Sequence, residues 1–306
     1  MPERTARSSD LALLAVVLVW GANFPILKWA LAAMPAHVMN VFRFLVSALA
    51  LGAVYAWRMR NAKASLLAPF RTHGRQLVVL GLLGYVVYQV SFIVGIDNTT
   101  SGSAALIMAS APLWTAVQSR IAGYERLQPW AWAGLALSLV GTGLVVAAGS
   151  GAVGIGAGSL FGNAMMLAAA AFWGAYTAYN KSVVHEVSPT GATFAGVVVA
   201  LPVLLAVSGP YWSAVQWQRV DVWVWIAIVF SGGLSTGLAI AVWNTAVKRV
   251  GASNTAVYGN LVPFVALLGG VVFLGEPITG PQIVGGTLII GGVVLVRRHR
   301  VRPPTA

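Results

Sequence analysis

A short motif returns once, far along the chain. Trp20-Gly21-Ala22, followed by Lys28, recurs as Trp173-Gly174-Ala175, followed by Lys181, at an offset of 153 residues. At an offset of 151 residues, further identical residues recur in the pairs Gly81/Gly232, Pro112/Pro263, Glu125/Glu276, Gly134/Gly285 and Gly141/Gly292. Because both copies run through long apolar stretches, the pattern predicts two related halves that meet at an internal interface.

The composition indicates a chain that is embedded in a lipid bilayer. Of the 306 residues, 58% are hydrophobic and 8% are charged, whereas a soluble protein carries roughly 25% charged residues. A membrane-spanning helix needs about 20 apolar residues. We predict an all-α polytopic membrane protein with ten transmembrane helices, near 10–32, 38–57, 76–96, 101–121, 128–148, 158–180, 189–207, 222–246, 254–274 and 281–296.

The net charge of +12 follows a topological pattern. If ten helices start from a cytoplasmic N-terminus, every Lys and Arg except Lys28, Arg43 and Arg219 falls on the cytoplasmic side. This is the positive-inside bias, and it predicts a multi-pass protein of the inner (cytoplasmic) membrane with both termini in the cytoplasm. We therefore expect a lipid bilayer and a small-molecule substrate as partners, and no nucleic acid.

Five helices per copy is an odd number, so the second copy must enter the membrane from the opposite side. The predicted halves, 1–148 with helices 1–5 and 159–306 with helices 6–10, then form two inverted five-helix repeats. The Gly-rich stretch 149–158 has the composition of a flexible linker. Small-residue faces on helices 5 and 10 predict close packing within a monomer, with a homodimer contact as the alternative.

Several short motifs follow one another in a characteristic order. They are Trp20-Gly21-Ala22-Asn23-Phe24, Phe42-Arg43-Phe44, Pro112, Pro263 and Leu274-Gly275-Glu276-Pro277. In these motifs and across its full length the chain resembles the ten-helix drug/metabolite transporter superfamily, of the EamA-like metabolite-exporter type. The resemblance implies a carrier that exports amino acids or similar small metabolites.

Polar and aromatic residues share single faces of several predicted helices, at spacings of three, four and seven. They are Trp20, Asn23 and Phe24 in helix 1, Tyr85, Tyr88, Gln89 and Phe92 in helix 3, Trp173, Tyr176, Thr177 and Asn180 in helix 6, Trp243 and Asn244 in helix 8, and Tyr258 in helix 9. Unpaired amide and hydroxyl groups are costly against lipid tails, so we predict that these residues line a substrate cavity. The alternative is that they form interfacial belts and helix–helix contacts.

Three residues within the predicted helices have more than one interpretation. Pro112 and Pro263, matched in the two copies, each remove an intrahelical hydrogen bond, so we predict hinges of an alternating-access cycle, with static bends as the alternative. Arg43 could hold a substrate carboxylate, extend to the outer lipid headgroups or form a structural ion pair with Asp97 or Glu276. We expect the ion pair.

Several kinds of chemistry have no support in the sequence. All seven acidic residues and all four histidines fall in loops or at helix ends, without metal-ligand spacing, and there is no cysteine. We therefore expect no catalytic residues, no metal and no cofactor, which excludes an enzyme. The predicted function is a secondary carrier that exports small zwitterionic metabolites, with amino acids, aromatic and apolar ones included, as the expected substrates. A nucleoside carrier of the same fold and a selective channel are the alternatives.

Overall fold

The computed structural model describes residues 2–59, 68–123, 126–148, 157–183, 187–250, 258–298 and 300–301. Its α-helices are α1 (Pro2–Ala30), α2 (Ala36–Met59), α3 (Ala68–Gly81), α4 (Tyr88–Asp97), α5 (Ser101–Met108), α6 (Ala111–Ile121), α7 (Pro129–Ala148), α8 (Ala157–Val183), α9 (Pro189–Ser208), α10 (Val222–Val229), α11 (Ile240–Val250), α12 (Val262–Leu274) and α13 (Gly280–Arg298). Two short strands, β1 (Arg126–Leu127) and β2 (Arg300–Val301), pair antiparallel. Most of the predicted linker, 149–156, lies outside the described residues.

Two of the predicted spans contain a π-helical segment. Leu82–Val87 joins α3 to α4, and Phe230–Ala239 joins α10 to α11. Shifting Leu82–Val87 by the repeat offset of 151 residues places it inside the second segment. Each extra residue in a π turn widens the helix locally and rotates the side chains that follow. Widened turns therefore occur at matching positions of the two copies.

Five described helical stretches are long and apolar enough to cross a membrane. They are Asp10–Ala30, Ala36–Arg58, His73–Asp97, Pro189–Ala214 and Val222–Ala246. Three further helices are apolar but shorter within the described residues, namely Pro129–Val145, Val262–Leu274 and Gly280–Val296. Apart from the two short strands, the described residues form the helical fold that was predicted, and these stretches are consistent with a polytopic membrane protein. The count of ten spans and the inverted repeats stay predictions.

Helices α7 and α13 pack closely along a line of small residues. A Cβ added at Gly134 would lie 2.7 Å from the carbonyl oxygen of Gly292, and one at Gly141 would lie 2.6 Å from that of Gly285. Residue numbers rise along α7 as they fall along α13, so the two helices run antiparallel. Between these contacts, the Ser138 hydroxyl donates to the carbonyl oxygen of Ile289 over 3.2 Å. Only glycine permits this approach of two backbones.

The two Trp-Gly-Ala motifs make corresponding contacts. A Cβ at Gly21 would collide with Val265 of α12, and one at Gly174 would lie 2.7 Å from the Cβ of Trp114 in α6. Trp114 and Val265 are themselves 151 residues apart. Helix α1 therefore packs on α12 through the same kind of glycine contact by which α8 packs on α6.

The two predicted halves share their hydrophobic core. One cluster of buried apolar side chains includes Phe24 and Ile93 from the first half with Met166 and Ile289 from the second. A second cluster is also drawn from both halves, as Phe44 of α2 packs in it together with residues of α9. Removing either half would expose much of the apolar surface of the other, so the halves do not form separate cores.

Glu276 connects the loop after α12 to the start of α5. Its carboxylate accepts hydrogen bonds from the backbone N–H of Ser101 over 2.9 Å, from the Ser101 hydroxyl over 2.6 Å and from the N–H of Gly102 over 3.3 Å. The first N–H groups of a helix lack partners within it, and a negative charge there is favoured by the helix dipole. Nearby, Lys28 donates to the backbone carbonyl of Asp97 over 2.6 Å. The Glu276 bonds tie the two halves together at this end of the bundle, and the Lys28 bond links α1 to the end of α4 within the first half.

Candidate functional site

A central cavity of about 170 Å³ is lined by residues from both predicted halves. Its wall contains eight of the residues predicted from helix faces, namely Trp20, Asn23, Phe24, Tyr88, Gln89, Phe92, Trp173 and Trp243. Pockets for drug-sized ligands usually measure about 300–1,000 Å³. The smaller volume suits a molecule of the size of a common metabolite.

Aromatic rings form two groups on the wall. Trp20 and Trp243 lie with ring centroids 4.9 Å apart, and the indole N–H of Trp20 donates to the carbonyl oxygen of Ser235 over 3.2 Å. In the other group, Tyr88 contacts Trp173 at 5.0 Å and Phe92 at 5.8 Å. The tryptophan of each Trp-Gly-Ala motif thus meets an aromatic ring of the helix that carries a π turn. Such surfaces bind apolar groups and the faces of other rings.

The cavity reaches the two matched prolines, but neither lies in a helix interior. Pro112 occupies the first turn of α6 and Pro263 the first turn of α12, and both line the cavity. The prediction that they sit inside continuous helices is wrong. Proline is tolerated at the first helical turn because its missing N–H has no intrahelical partner there.

Each proline follows a break in its helix. The N–H of Ser110 bonds the carbonyl of Ile107 over 3.0 Å, and the N–H of Leu261, at the matching position, bonds that of Tyr258 over 2.9 Å. Both are tight bonds that span three residues instead of four. Backbone that departs from regular helix is tolerated at membrane depth where it lines a cavity, which is where these breaks lie.

We predict that Pro112→Ala and Pro263→Ala lower transport more than they change stability. Alanine would supply the N–H that allows the break to close into continuous helix, and a first-turn proline contributes only about 1 kcal/mol to stability. Transport in proteoliposomes should fall severalfold in both variants, while the melting temperature should shift by only a few degrees. Pro202 lies inside α9 and is absent from the cavity wall, so Pro202→Ala is the control that should keep its transport. Unchanged transport in both cavity variants would identify Pro112 and Pro263 as static bends.

Arg43 is the charged group of the cavity wall. Its side chain is 1% exposed, and its Nε donates to the hydroxyl of Ser231 over 2.7 Å. The two terminal nitrogens donate to Asn40 Oδ1 over 2.9 Å, to Gln89 Oε1 over 3.5 Å and to the Thr236 hydroxyl over 3.0 Å. Every one of these acceptors is neutral, so the predicted ion pair with Asp97 or Glu276 is wrong. Glu276 instead binds the start of α5.

The other six predicted residues lie outside the cavity wall. The Tyr85 and Tyr176 hydroxyls are buried 3.2 Å apart. Thr177 donates to the carbonyl of Trp173 within its own helix over 2.7 Å, and Asn244 donates to Thr193 over 3.4 Å. The Tyr258 hydroxyl donates to Asp10 over 2.8 Å, and Asn180 also falls outside the wall. A part in substrate binding stays a prediction for these six.

Some cavity residues were not among the predicted ones. Ser235 and Asn260 line the wall and carried no signal in the sequence. Thr236 also lines the wall and could be recognised, because it lies seven residues before Trp243 in the same predicted helix. Arg43 carried a signal as a charge within an apolar helix. Ser235 and Thr236 reach the cavity from the π-helical segment, which shifts the face that a regular helix would present. Helical periodicity could not have located Ser235.

Comparison with known proteins agrees with this architecture. One solved crystal structure aligns with a TM-score of 0.64 at 20% identity, covering 94% of this chain and 95% of its own, so the two share a fold. A probable amino-acid metabolite efflux pump of Salmonella typhimurium is 26% identical, with 97% of each chain covered. A probable terminal-alkyne amino-acid exporter of Streptantibioticus cattleyicolor is 28% identical over 94% of this chain and 93% of its own.

An uncharacterized transporter of Bacillus subtilis is 27% identical over 92% of this chain and 91% of its own. The profile of the EamA-like transporter family matches twice, over residues 7–147 and 160–298. The two matches together span most of the sequence and include both Trp-Gly-Ala motifs and both broken helices. This chain is therefore a multi-pass membrane protein that belongs to the EamA-like transporter family.

Proposed function

We propose that the protein is a secondary carrier that exports small zwitterionic metabolites, chiefly amino acids, aromatic and apolar ones included. The observation that carries the proposal is the metabolite-sized cavity between the two halves, walled by indole and phenyl rings and furnished with amide and hydroxyl groups. Rings suit an apolar side chain, and the amides Asn23 and Gln89 suit ammonium and carboxylate groups. The names of the Salmonella and Streptantibioticus relatives agree with this substrate class.

The transport cycle follows from a ten-helix arrangement of two inverted repeats, which we propose for residues 1–148 and 159–306. Its support is the set of matched contacts: the antiparallel glycine line between α7 and α13, the paired π turns, and the two helix breaks. In an inverted pair, one half can adopt the conformation of the other, which exchanges the side on which the cavity opens. The cavity then faces the two sides of the membrane in turn.

The orientation that we propose places both termini in the cytoplasm and the protein in the inner membrane. Its support is the distribution of Lys and Arg, which leaves only Arg219 among the basic residues in an outer loop. The short strands β1 and β2 bring the segment after α6 next to the one after α13, which fits a location on the same side. We propose a monomer as the functional unit, with a homodimer as the alternative.

The function is tested by transport in proteoliposomes that contain the purified protein. A panel of radiolabelled L-amino acids and nucleosides is supplied outside, with and without unlabelled compound preloaded inside. We expect saturable uptake of aromatic and apolar L-amino acids that is accelerated severalfold by preloading, because a carrier exchanges substrates through one site. Saturable exchange of nucleosides alone would contradict the proposed substrate class. Unsaturable flux without exchange would identify a channel.

A further inference from the structure

We propose that Arg43 binds the carboxylate of the transported molecule and that Asn23 accepts a hydrogen bond from its ammonium group. This inference rests on the proposed function, and it assigns the two charged ends of the substrate to particular side chains of the cavity wall. A molecule that lacks the carboxylate is then a poor substrate, whatever its side chain.

The first argument is the unbalanced charge of Arg43. Its guanidinium is 1% exposed and is held by four neutral acceptors. The four acidic residues with described side chains lie elsewhere. Asp10 bonds Tyr258, Asp221 caps α10 and Glu276 caps α5. Asp97 is exposed and lies near Lys28 and His37. A buried charge without an opposite charge is costly to keep in a membrane protein and indicates a functional site.

The guanidinium also keeps donor capacity for a ligand. Arginine has five N–H groups, and the four hydrogen bonds within the described part of the chain include one to Gln89 that is stretched to 3.5 Å. One N–H of Arg43 is left over, and a second is weakly bound. A carboxylate placed in the cavity can take these two N–H groups, which is the geometry in which arginine binds carboxylates best.

The second argument is an unpaired acceptor in the same cavity. Asn23 is 4% exposed, and its Oδ1 atom has no hydrogen-bond partner among the described residues. Asn23 and Arg43 both line the cavity. Buried polar atoms in native proteins are nearly always paired, so an orphan in a cavity wall indicates a group that arrives with a ligand. An ammonium group donates three hydrogen bonds and satisfies it.

The third argument comes from the helix contact that corresponds to Arg43 and Thr236 under the repeat. There, a glycine of α9 packs against a tyrosine of the first π-helical segment. At an offset of 153 residues Arg43 corresponds to Gly196, and at 151 its acceptor Thr236 corresponds to Tyr85. A Cβ added at Gly196 would lie 2.5 Å from the ring of Tyr85, which fills the space over that glycine. The helix contact therefore does not require an arginine, and a structural role alone does not account for Arg43.

The backbone of Arg43 is also fixed in place. A Cβ added at Gly232 would collide with the backbone carbonyl of Arg43, so the π-helical segment lies directly against α2 at this point. Ser231 and Thr236 of the same segment hold the guanidinium. A shift of this segment during transport would move the cation, which links the binding of a carboxylate to the conformation of the helix.

The test compares matched substrates in proteoliposomes. L-phenylalanine, L-leucine and L-methionine are each assayed beside their primary amides, which keep the side chain and the ammonium group and lack the carboxylate. Charge-assisted hydrogen bonds of this kind change affinity by roughly ten- to one-hundred-fold. We expect wild-type protein to prefer each acid over its amide by at least about tenfold. Arg43→Gln should bring this ratio close to one, and Arg43→Lys, which keeps the charge without the planar fork, should lie between them.

The control is Arg58→Gln. Arg58 lies on the same helix, donates to the Thr190 hydroxyl over 2.9 Å and is absent from the cavity wall, so its loss should leave the acid-to-amide ratio unchanged. The wild-type comparison stands even where Arg43→Gln fails to fold. Equal transport of acid and amide by wild type, or an unchanged ratio in Arg43→Gln, would overturn the assignment and leave an amino-acid carrier intact. Transport of no acid and no amide would overturn the proposed function and this inference with it.

Discussion

Gly141→Leu should abolish the folded protein. The Cβ of any larger residue at this position would lie 2.6 Å from the carbonyl oxygen of Gly285 and 2.8 Å from the backbone nitrogen of Ile289. Both are backbone atoms, which cannot rotate away as a side chain can, so α7 and α13 would have to separate along their length. We expect a loss of more than about 3 kcal/mol, at the upper end of what overpacking costs. Melting of the purified protein in detergent and its elution in size-exclusion chromatography would measure this loss.

The matched control lies two residues along the same helix. Gly143 is exposed, and a Cβ added there has nothing within 4 Å. Gly143→Leu should therefore fold and melt like the wild type. Alanine gives a finer comparison, because Gly→Ala in a helix gains up to about 1 kcal/mol where space allows. Gly143→Ala should raise stability and Gly141→Ala should lower it, and equal melting temperatures would contradict the close contact of the two helices.

Tyr88→Ala should abolish most transport and leave the protein folded. The Tyr88 ring lines the cavity between Trp173 and Phe92. Its loss removes a stacking surface for the substrate. It also enlarges the existing cavity and creates no new void in the core, so the fold should persist. Aromatic contacts of this kind contribute roughly 1–3 kcal/mol, which corresponds to a reduction in apparent affinity of about five- to one-hundred-fold. Uptake of L-phenylalanine by proteoliposomes at several concentrations would measure it.

Tyr176→Ala should behave in the opposite way. Tyr176 is 4% exposed, its hydroxyl lies 3.2 Å from that of Tyr85, and its ring packs against Gly84. Removing it leaves a void in the core and a buried hydroxyl with one partner fewer, at a cost of about 3–5 kcal/mol. Low yield and a lowered melting temperature are therefore expected before any effect on transport. A stable Tyr176→Ala protein without transport would place this residue in the site after all.

Tyr85 and Tyr88 show how far helical periodicity can locate a site. Tyr85 and Tyr88 are one turn apart and were predicted on one face, yet Tyr88 lines the cavity and Tyr85 is packed in the core beside Tyr176. Tyr85 lies inside the π-helical segment Leu82–Val87, and Tyr88 directly follows it. A π turn holds more residues than an α turn, so positions before and after it no longer share the predicted face. Its presence has no reliable mark in the sequence.

The partners of Arg43 were harder to predict than the cavity-lining faces of the helices. Arg43 could be recognised as a charge inside an apolar helix, and Asp97 and Glu276 were available as partners. Arg43 instead donates to Ser231 and Thr236, which lie 188 and 193 residues away along the chain. Such contacts follow from how α2 meets the π-helical segment, and no local pattern contains that information.

Amino-acid order alone therefore determines the membrane-embedded character and the two related halves, since these follow from hydropathy and from an offset that recurs. Proline did not mark the helix breaks in the same way, because Pro202 lies inside α9 whereas Pro112 and Pro263 lie in the first turns of their helices. Eight of the predicted cavity residues could also be found this way, because a face that is polar and aromatic within an apolar helix has to be buried against protein. Tertiary packing alone decides which polar faces meet at the cavity. It also decides that Arg43 donates to neutral acceptors among the described residues, because burial and hydrogen bonding depend on neighbours that are distant in the chain.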